Sequence, residues 1–182
     1  MLSGKTAFIT GSNRGIGQAI LKKFIDNGAN IICAVRKINP EFKEYIKINL
    51  KNLKNNVKIL EFDLNDESKM SKAIQSLYKD KITLDILVNN AGVAGGSIFE
   101  MTSMKDLKKI FEINFFSQIR LTQLLLRLLK KSNKASIINI GSVSGINGDR
   151  GNIAYGSSKA ALMFATKVMA NELSTYNIRV NS

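Results

Sequence analysis

Short runs of β-branched and apolar residues alternate along the chain with longer stretches in which apolar positions recur every three to four residues. That alternation is the pattern of βαβ units and a parallel sheet. The run Thr6-Ala7-Phe8-Ile9-Thr10 and those over 31–35, 57–62, 84–89 and 136–140 predict five strands, and Ile178-Arg179-Val180 begins a sixth. Between them the helical period predicts helices over 16–27, closed by Gly28 as C-terminal cap, over 41–53 after Pro40, over 67–78, over 104–131 as one long helix, and over 154–175. A Gly- and Ser-rich loop over 141–151 joins the fifth strand to the last helix. Right-handed crossovers between parallel strands force such a chain into a doubly wound α/β sheet of the Rossmann kind, three layers deep, with ligands at the carboxyl ends of the strands where the strand order reverses. A site is expected near the ends of strands one, four and five.

The segment Thr10-Gly11-Ser12-Asn13-Arg14-Gly15-Ile16-Gly17 leaves the first strand and opens the first helix. In that context Gly11 lets the chain turn, Gly15 and Gly17 allow close approach to a pyrophosphate and tight helix packing, and the helix N-terminus offers N–H groups and positive dipole. A glycine-rich turn after a buried strand is also an ordinary structural device. The second strand ends in Ala34-Val35-Arg36-Lys37, with no Asp or Glu to bond the adenosine ribose of NAD. Arg36, with Arg14 from the glycine loop, suits the extra phosphate of NADP, because guanidiniums form charge-assisted and bidentate bonds to a dianion. The competing reading is that Arg36 is a surface arginine at a strand end.

The last helix begins with Tyr155-Gly156-Ser157-Ser158-Lys159. Residues four apart share a helix face, so Lys159 sits beside Tyr155. A tyrosine ordinarily titrates at about 10, too high for a good proton carrier at neutral pH, and a neighbouring ammonium favours the phenolate. Such pairs also occur by chance on many helices.

Composition narrows the chemistry. A chain of 182 residues, 45% hydrophobic and 23% charged, suits one sizeable core and one domain over 1–182. With no histidine and one cysteine, Ser-His-Asp hydrolysis, His-based metal sites and thiolate clusters are excluded, so no metal site is expected, and any proton carrier is Tyr, Lys, Asp, Glu or water. Cys33 lies in the apolar run 30–35 and reads as core; a lone cysteine fits a reducing compartment. No stretch approaches the roughly 20 consecutive apolar residues that span a bilayer, so a soluble, cytoplasmic protein without a membrane partner is expected. The net charge of +13 invites a nucleic-acid reading, but Lys43, Lys47, Lys51, Lys54, Lys58, Lys105, Lys108, Lys109, Lys130, Lys131 and Lys134 are scattered among Ile, Leu and Asn. They read as solvated helix faces, with no nucleic acid as partner. A phosphorylated cofactor or an acidic carrier partner would still benefit from the field.

Together, the glycine loop, Asp63-Leu64 after strand three, Asn89-Asn90-Ala91-Gly92 after strand four, Asn114 in the long helix, Ser142 after strand five and Tyr155 with Lys159 resemble the short-chain dehydrogenase/reductase family in order and spacing, over 5–182. The resemblance implies a hydride-transferring oxidoreductase acting on a carbonyl or secondary alcohol. In that family the counterpart of Asp63 meets the adenine, the Asn-Asn-Ala-Gly segment supports sheet and cofactor, and Asn114, Ser142, Tyr155 and Lys159 stand where the catalytic tetrad does. The resemblance implies that Tyr155 exchanges a proton with the substrate oxygen, Ser142 hydrogen-bonds that oxygen, Lys159 holds the nicotinamide ribose, and Asn114 anchors a water linking Lys159 to solvent. The expected cofactor-binding set is therefore Gly11, Ser12, Asn13, Arg14, Gly15, Ile16, Gly17, Arg36, Asp63, Leu64, Asn90, Ala91, Gly92, Tyr155 and Lys159, with NADP(H) as cofactor.

Segment 87–182, including Gly141-Ser142-Val143-Ser144-Gly145, most resembles the 3-oxoacyl-carrier-protein reductases, which implies an acyl-thioester substrate; Asn171-Glu172 departs from the Arg-Glu often found there. Family members commonly continue past the counterpart of Asn181-Ser182 into a substrate lid, a last strand and a helix, so the domain is expected to be incomplete at its C-terminus. A truncated, non-catalytic dinucleotide-binding or interaction protein is the alternative. Relatives assemble through the helices matching 104–131 and 154–175, whose apolar positions exceed what one sheet face buries, so a homo-oligomer, dimer or tetramer, is expected; simple core packing is the competing account.

Overall fold

The apolar runs form β1 (Thr6–Thr10), β2 (Asn30–Val35), β3 (Val57–Glu61), β4 (Ile86–Asn89), β5 (Ala135–Asn139) and β6 (Ile178–Asn181). In the computed structural model, which describes residues 1–51 and 53–182, they pair into one parallel sheet of order β3-β2-β1-β4-β5-β6. Thr10 stands opposite Ala34, Ile9 opposite Val88 and Asn89 opposite Asn139, so β1, β2, β4 and β5 end together at one edge of the sheet. The order reverses between β1 and β4, where a crevice opens in such sheets.

Side-chain alternation divides the core between the two faces. Ala7, Ile9, Ile31, Cys33 and Val35 pack against Leu21 and Ile25 of α1 (Gly15–Asp26) and Phe42 and Ile46 of α2 (Pro40–Leu50). On the other face Phe8, Ile32, Leu87 and Ile137 meet Met70, Ile74 and Leu77 of α3 (Glu67–Lys79). Leu121, Leu125, Leu128 and Leu129 of α5 (Ser117–Leu129) complete that layer, with Leu173 of α6 (Ile153–Leu173). Side chains buried this completely contribute about 1.5–3 kcal/mol each.

Local chemistry sets the helix starts. Asn39 accepts from the Phe42 N–H ahead of α2, which opens on Pro40, and Asp66 accepts from the Lys69 N–H ahead of α3. Ser103 does the same for Asp106 at the start of α4 (Met104–Phe111). The helix α1 differs: Arg14 precedes it in extended backbone and makes no side-chain cap, which leaves its first N–H groups open.

Several boundaries differ from expectation. The helix expected over 41–53 ends at Leu50, with Lys51 as its cap; residue 52 lies outside the described residues. The long helix expected over 104–131 is three pieces, because a π-helical turn at Glu112–Phe116 separates α4 from α5. Strand four begins at Ile86, two residues late; Asp85, just before it, accepts from the Thr6 N–H through its carboxylate. The last helix stops at Leu173 in a short 3-10 turn, and Asn177, with φ 55°, turns the chain into β6. No helix among the described residues is long and apolar enough to cross a membrane.

Candidate active site

The turn from β1 into α1 is shaped by its glycines. Gly11 and Gly15 have φ of 63° and 53°, conformations that glycine adopts without strain. Gly17 is buried, and a Cβ there would overlap the Gly11 carbonyl, so the helix can approach the loop only as glycine. A Cβ on Gly15 would meet no atom within 4 Å, so the loop faces open space at that point. That space is a cleft of about 650 Å³ lined by Gly11, Asn13, Arg14, Gly15, Ile16, Gly17, Arg36, Asp63, Leu64, Asn90, Ala91 and Gly92. The open α1 N-terminus, the glycine cradle and two arginines are the donor set a dinucleotide's phosphates require, so these residues fit such a cofactor.

Ser12 is the exception among the expected loop residues. Its side chain is fully buried and does not line the cleft. Beneath the loop, burial pushes the Cys33 thiol up to about 12, which leaves no thiolate for nucleophilic work.

The floor of the cleft is the loop after β4, fixed by Thr10. Its Oγ1 accepts from the Asn90 and Ala91 N–H groups, each at 2.9 Å, while Asn90 Nδ2 donates to the Thr10 and Gly11 carbonyls at 2.9 and 3.2 Å. Asn114 stands in the π turn, fully buried. Its Oδ1 accepts from the Val93 N–H at 2.8 Å, and its Nδ2 donates to the Val93 carbonyl at 3.0 Å and to Ser158 Oγ at 3.1 Å. Both amide hydrogens are therefore held by protein, so the side chain binds loop and helix together.

Ser142 follows β5 and accepts from the Ser144 N–H at 3.2 Å, starting the 3-10 turn Val143–Gly145. Tyr155 is half-buried in the first turn of α6, and Lys159 is one turn on, with Nζ 6.0 Å from the tyrosine ring centre. Lys159 Nζ donates to the Ile140 carbonyl at 2.6 Å, and burial lowers its pKa. A Cβ on Gly92 would lie 3.6 Å from that Nζ, so Lys159 reaches the cleft floor while sharing a face with Tyr155. Ser158, between them, donates to the Tyr155 carbonyl at 2.7 Å. A second cavity, about 680 Å³, begins at Ser144, Gly156 and Ser157 and is walled by Ile98, Phe99, Ile146 and Ile153. The arrangement offers two cavities, with Gly92 of the first beside the Lys159 ammonium and Gly156 of the second next to Tyr155 in sequence. Thr10, Gln118 and Ser158 are site-building residues that the motif spacing does not single out.

A profile of the short chain dehydrogenase family matches residues 5–182. The chain belongs to the short-chain dehydrogenase/reductase family. As a short-chain dehydrogenase/reductase it is a dinucleotide-dependent, hydride-transferring oxidoreductase. It is 34% identical over 183 residues to the 3-oxoacyl-[acyl-carrier-protein] reductase FabG of Aquifex aeolicus, covering all of this chain and 73% of that protein. Among solved structures, the NADP complex of Pseudomonas aeruginosa RhlG is 35% identical with a TM-score of 0.87, matched over 98% of this chain and 71% of that one. The L-sorbose reductase of Gluconobacter frateurii, complexed with NADPH and L-sorbose, is 28% identical with a TM-score of 0.90, over 98% and 68%. The chain spans roughly two thirds to three quarters of the length of the relatives it matches.

Proposed function

We propose that this short-chain dehydrogenase/reductase uses NADP(H) to interconvert a carbonyl and a secondary alcohol, with residues 1–182 as one catalytic domain and a 3-oxoacyl thioester as its substrate class. The observation that carries the reading is the position of Lys159. Its ammonium sits beside Gly92 of the dinucleotide cleft and on the same helix face as Tyr155, so one side chain joins cofactor space to a proton carrier. Bound in the cleft, the cofactor supplies the hydride.

The chain's own residues do the rest. Arg36 follows β2 on the cleft wall, and Arg14 lines the same cleft from the glycine loop; together they favour the phosphate of NADP over the bare ribose of NAD. Asp63 and Leu64 wall the same cleft where an adenine would lie, and Asn90, Ala91 and Gly92 carry its floor. Tyr155 Oη gives a proton to the carbonyl oxygen during reduction and takes it back during oxidation. Ser142 Oγ donates to that oxygen and stabilises the charge that develops on it. Lys159 holds ribose hydroxyls, and Asn114 keeps Val93 and Ser158 in place around it. The apolar wall of Ile98, Phe99, Ile146 and Ile153 supports a substrate with an aliphatic arm, in keeping with the acyl-thioester reductases among the relatives. Exposed apolar side chains on the outer face of the π turn and α6 support a homo-oligomer, and the cytoplasm is the compartment that a lone buried thiol suits.

The test is NADPH and NADH binding by cofactor fluorescence at matched ionic strength, followed by NADPH oxidation with a 3-oxoacyl thioester. Tight NADPH binding, weak NADH binding and turnover that falls about 10²–10⁴-fold in Tyr155→Phe are expected. NADPH binding without turnover, unchanged by Tyr155→Phe, would instead establish a non-catalytic dinucleotide-binding protein.

A further inference from the structure

Gln118 is fully buried on the first turn of α5, an expensive place for an amide unless both ends are bonded. Only one end is. Its Nε2 donates to the carbonyl of Ala91, while its Oε1 has no partner among the described residues. Reversing the amide would set two carbonyl oxygens against each other, so the donor must face Ala91. An apolar side chain of the same shape would fill this space without a stranded acceptor; what it could not do is hold the Ala91 carbonyl.

Ala91 lines the dinucleotide cleft, and its own N–H is already held by Thr10 Oγ1 at 2.9 Å. Two residues further on, Asn114 grips Val93 through both its N–H and its carbonyl, at 2.8 and 3.0 Å. Asn114 and Gln118 are four apart across the end of the π turn and are both fully buried. They thus present two amides to the same loop, one on residue 93 and one on residue 91. The Gln118 main-chain carbonyl accepts from Thr122 Oγ1 at 2.8 Å, and Thr122 Oγ1 accepts from Asn89 Nδ2 at 3.0 Å, which anchors this jaw to the end of β4.

We propose that Gln118 is a positioning residue for the dinucleotide: through the Ala91 carbonyl it sets the height of the cleft floor formed by Asn90, Ala91 and Gly92, as the second jaw of a clamp whose first jaw is Asn114. The proposal rests on the reading of that cleft as a cofactor site. It assigns Gln118 to cofactor affinity and leaves proton transfer at Tyr155 untouched.

The experiment compares the parent with Gln118→Met, which keeps the shape and removes both donor and stranded acceptor, and with Gln118→Glu, which keeps acceptors and loses the amide donor. The NADPH dissociation constant is read by fluorescence and the thermal unfolding midpoint is read without cofactor. NADPH binding is expected to weaken about fivefold in Gln118→Met, the scale of one lost hydrogen bond, with the midpoint unchanged or raised. Gln118→Glu is expected to weaken binding at least as much, and both variants to keep their turnover at saturating NADPH within about twofold of the parent, a KM effect without a kcat effect. Dissociation constants within twofold of the parent in both variants overturn the proposal, as does a loss of affinity that tracks a falling midpoint, since that is plain core damage. A parent that fails to bind NADPH removes the reading of the cleft and this proposal with it, whereas a binding parent with indifferent variants removes the proposal alone.

Discussion

Arg36 and Arg14 line the same cleft from two different places in the chain, just after β2 and just before α1. Because an extra phosphate on the ribose is the feature that separates NADP from NAD, removing one guanidinium acts on one cofactor and spares the other. Arg36→Ala is expected to weaken NADPH about tenfold or more, the scale of a charge-assisted hydrogen bond, and to leave NADH within about twofold. Parallel titrations of both cofactors check it, and equal losses for both would show that Arg36 reads no phosphate. That both arginines border one cleft was legible in the sequence because a strand end and a glycine turn fix where the chain must go next. The inward turn of the Ser12 side chain was not, although it lies in the same motif. Which way a turn residue's side chain points depends on what packs behind it, and here the hydroxyl is turned inward to full burial. Thr10, Ser158 and Gln118 escaped for a related reason: they act on segments 80, 44 and 27 residues away, at Asn90, Asn114 and Ala91. No periodicity in the chain announces a hydrogen bond at that separation.

At the scale of elements, the sheet is stitched at its far end by Asp85. Its carboxylate accepts from the Thr6 N–H at 2.9 Å, from Ser132 Oγ at 2.7 Å and from Lys5 Nζ at 3.0 Å, tying the entry of β4 to that of β1 and to the turn after α5. Burial alone would push the Asp85 carboxyl up, but these three donors outweigh it and hold it below the usual carboxylate value. A group depressed on folding contributes stability that is complete above its unfolded value, near 4, and is lost as pH falls through the lower folded value. Asp85→Asn is expected to cost about 1–3 kcal/mol at pH 7, mostly from the buried bonds to Thr6 and Ser132, since the half-exposed lysine adds little. Urea unfolding between pH 7 and pH 3 checks this: the gap between variant and parent should close as the pH drops below 4, and a constant gap would place the effect elsewhere. The strands and most helices were legible from apolar period alone, as the agreement over 6–10 shows. The interruption of the long helix was not, because the apolar period resumes in α5 after the π turn. The inserted residue shows only in the outcome, with Asn114 turned inward while Phe116 faces out.

For the whole molecule, the apolar residues of 104–131 and 154–175 divide into two groups. Leu121, Leu125, Leu128, Leu129 and Leu162 are fully buried, so core packing accounts for them. Phe116, Phe164 and Val168 are 53%, 69% and 40% exposed, and packing within the chain does not account for those. Phe116 also meets Phe115 edge to face, with ring centres 5.2 Å apart, which makes an apolar step on the outside of the π turn next to α6. A second copy covering this step would remove it from water, but each copy carries a formal charge of +13, and like charges oppose association. The balance between the two depends on salt. The screening length is about 30 Å at 0.01 M and about 8 Å at 0.15 M, so repulsion reaches across the interface in the first case and scarcely beyond it in the second. Sedimentation is therefore expected to show a dimer or tetramer at 0.15 M salt, a shift toward monomer at 0.01 M, and a shift toward monomer at both salts in Phe164→Ser. Because neither Phe116 nor Phe164 lines the cleft, the monomeric variant should still bind NADPH. A parent that is monomeric at 0.15 M would return the exposed phenylalanines to ordinary surface, and a Phe164→Ser protein that stays assembled would move the interface to another face.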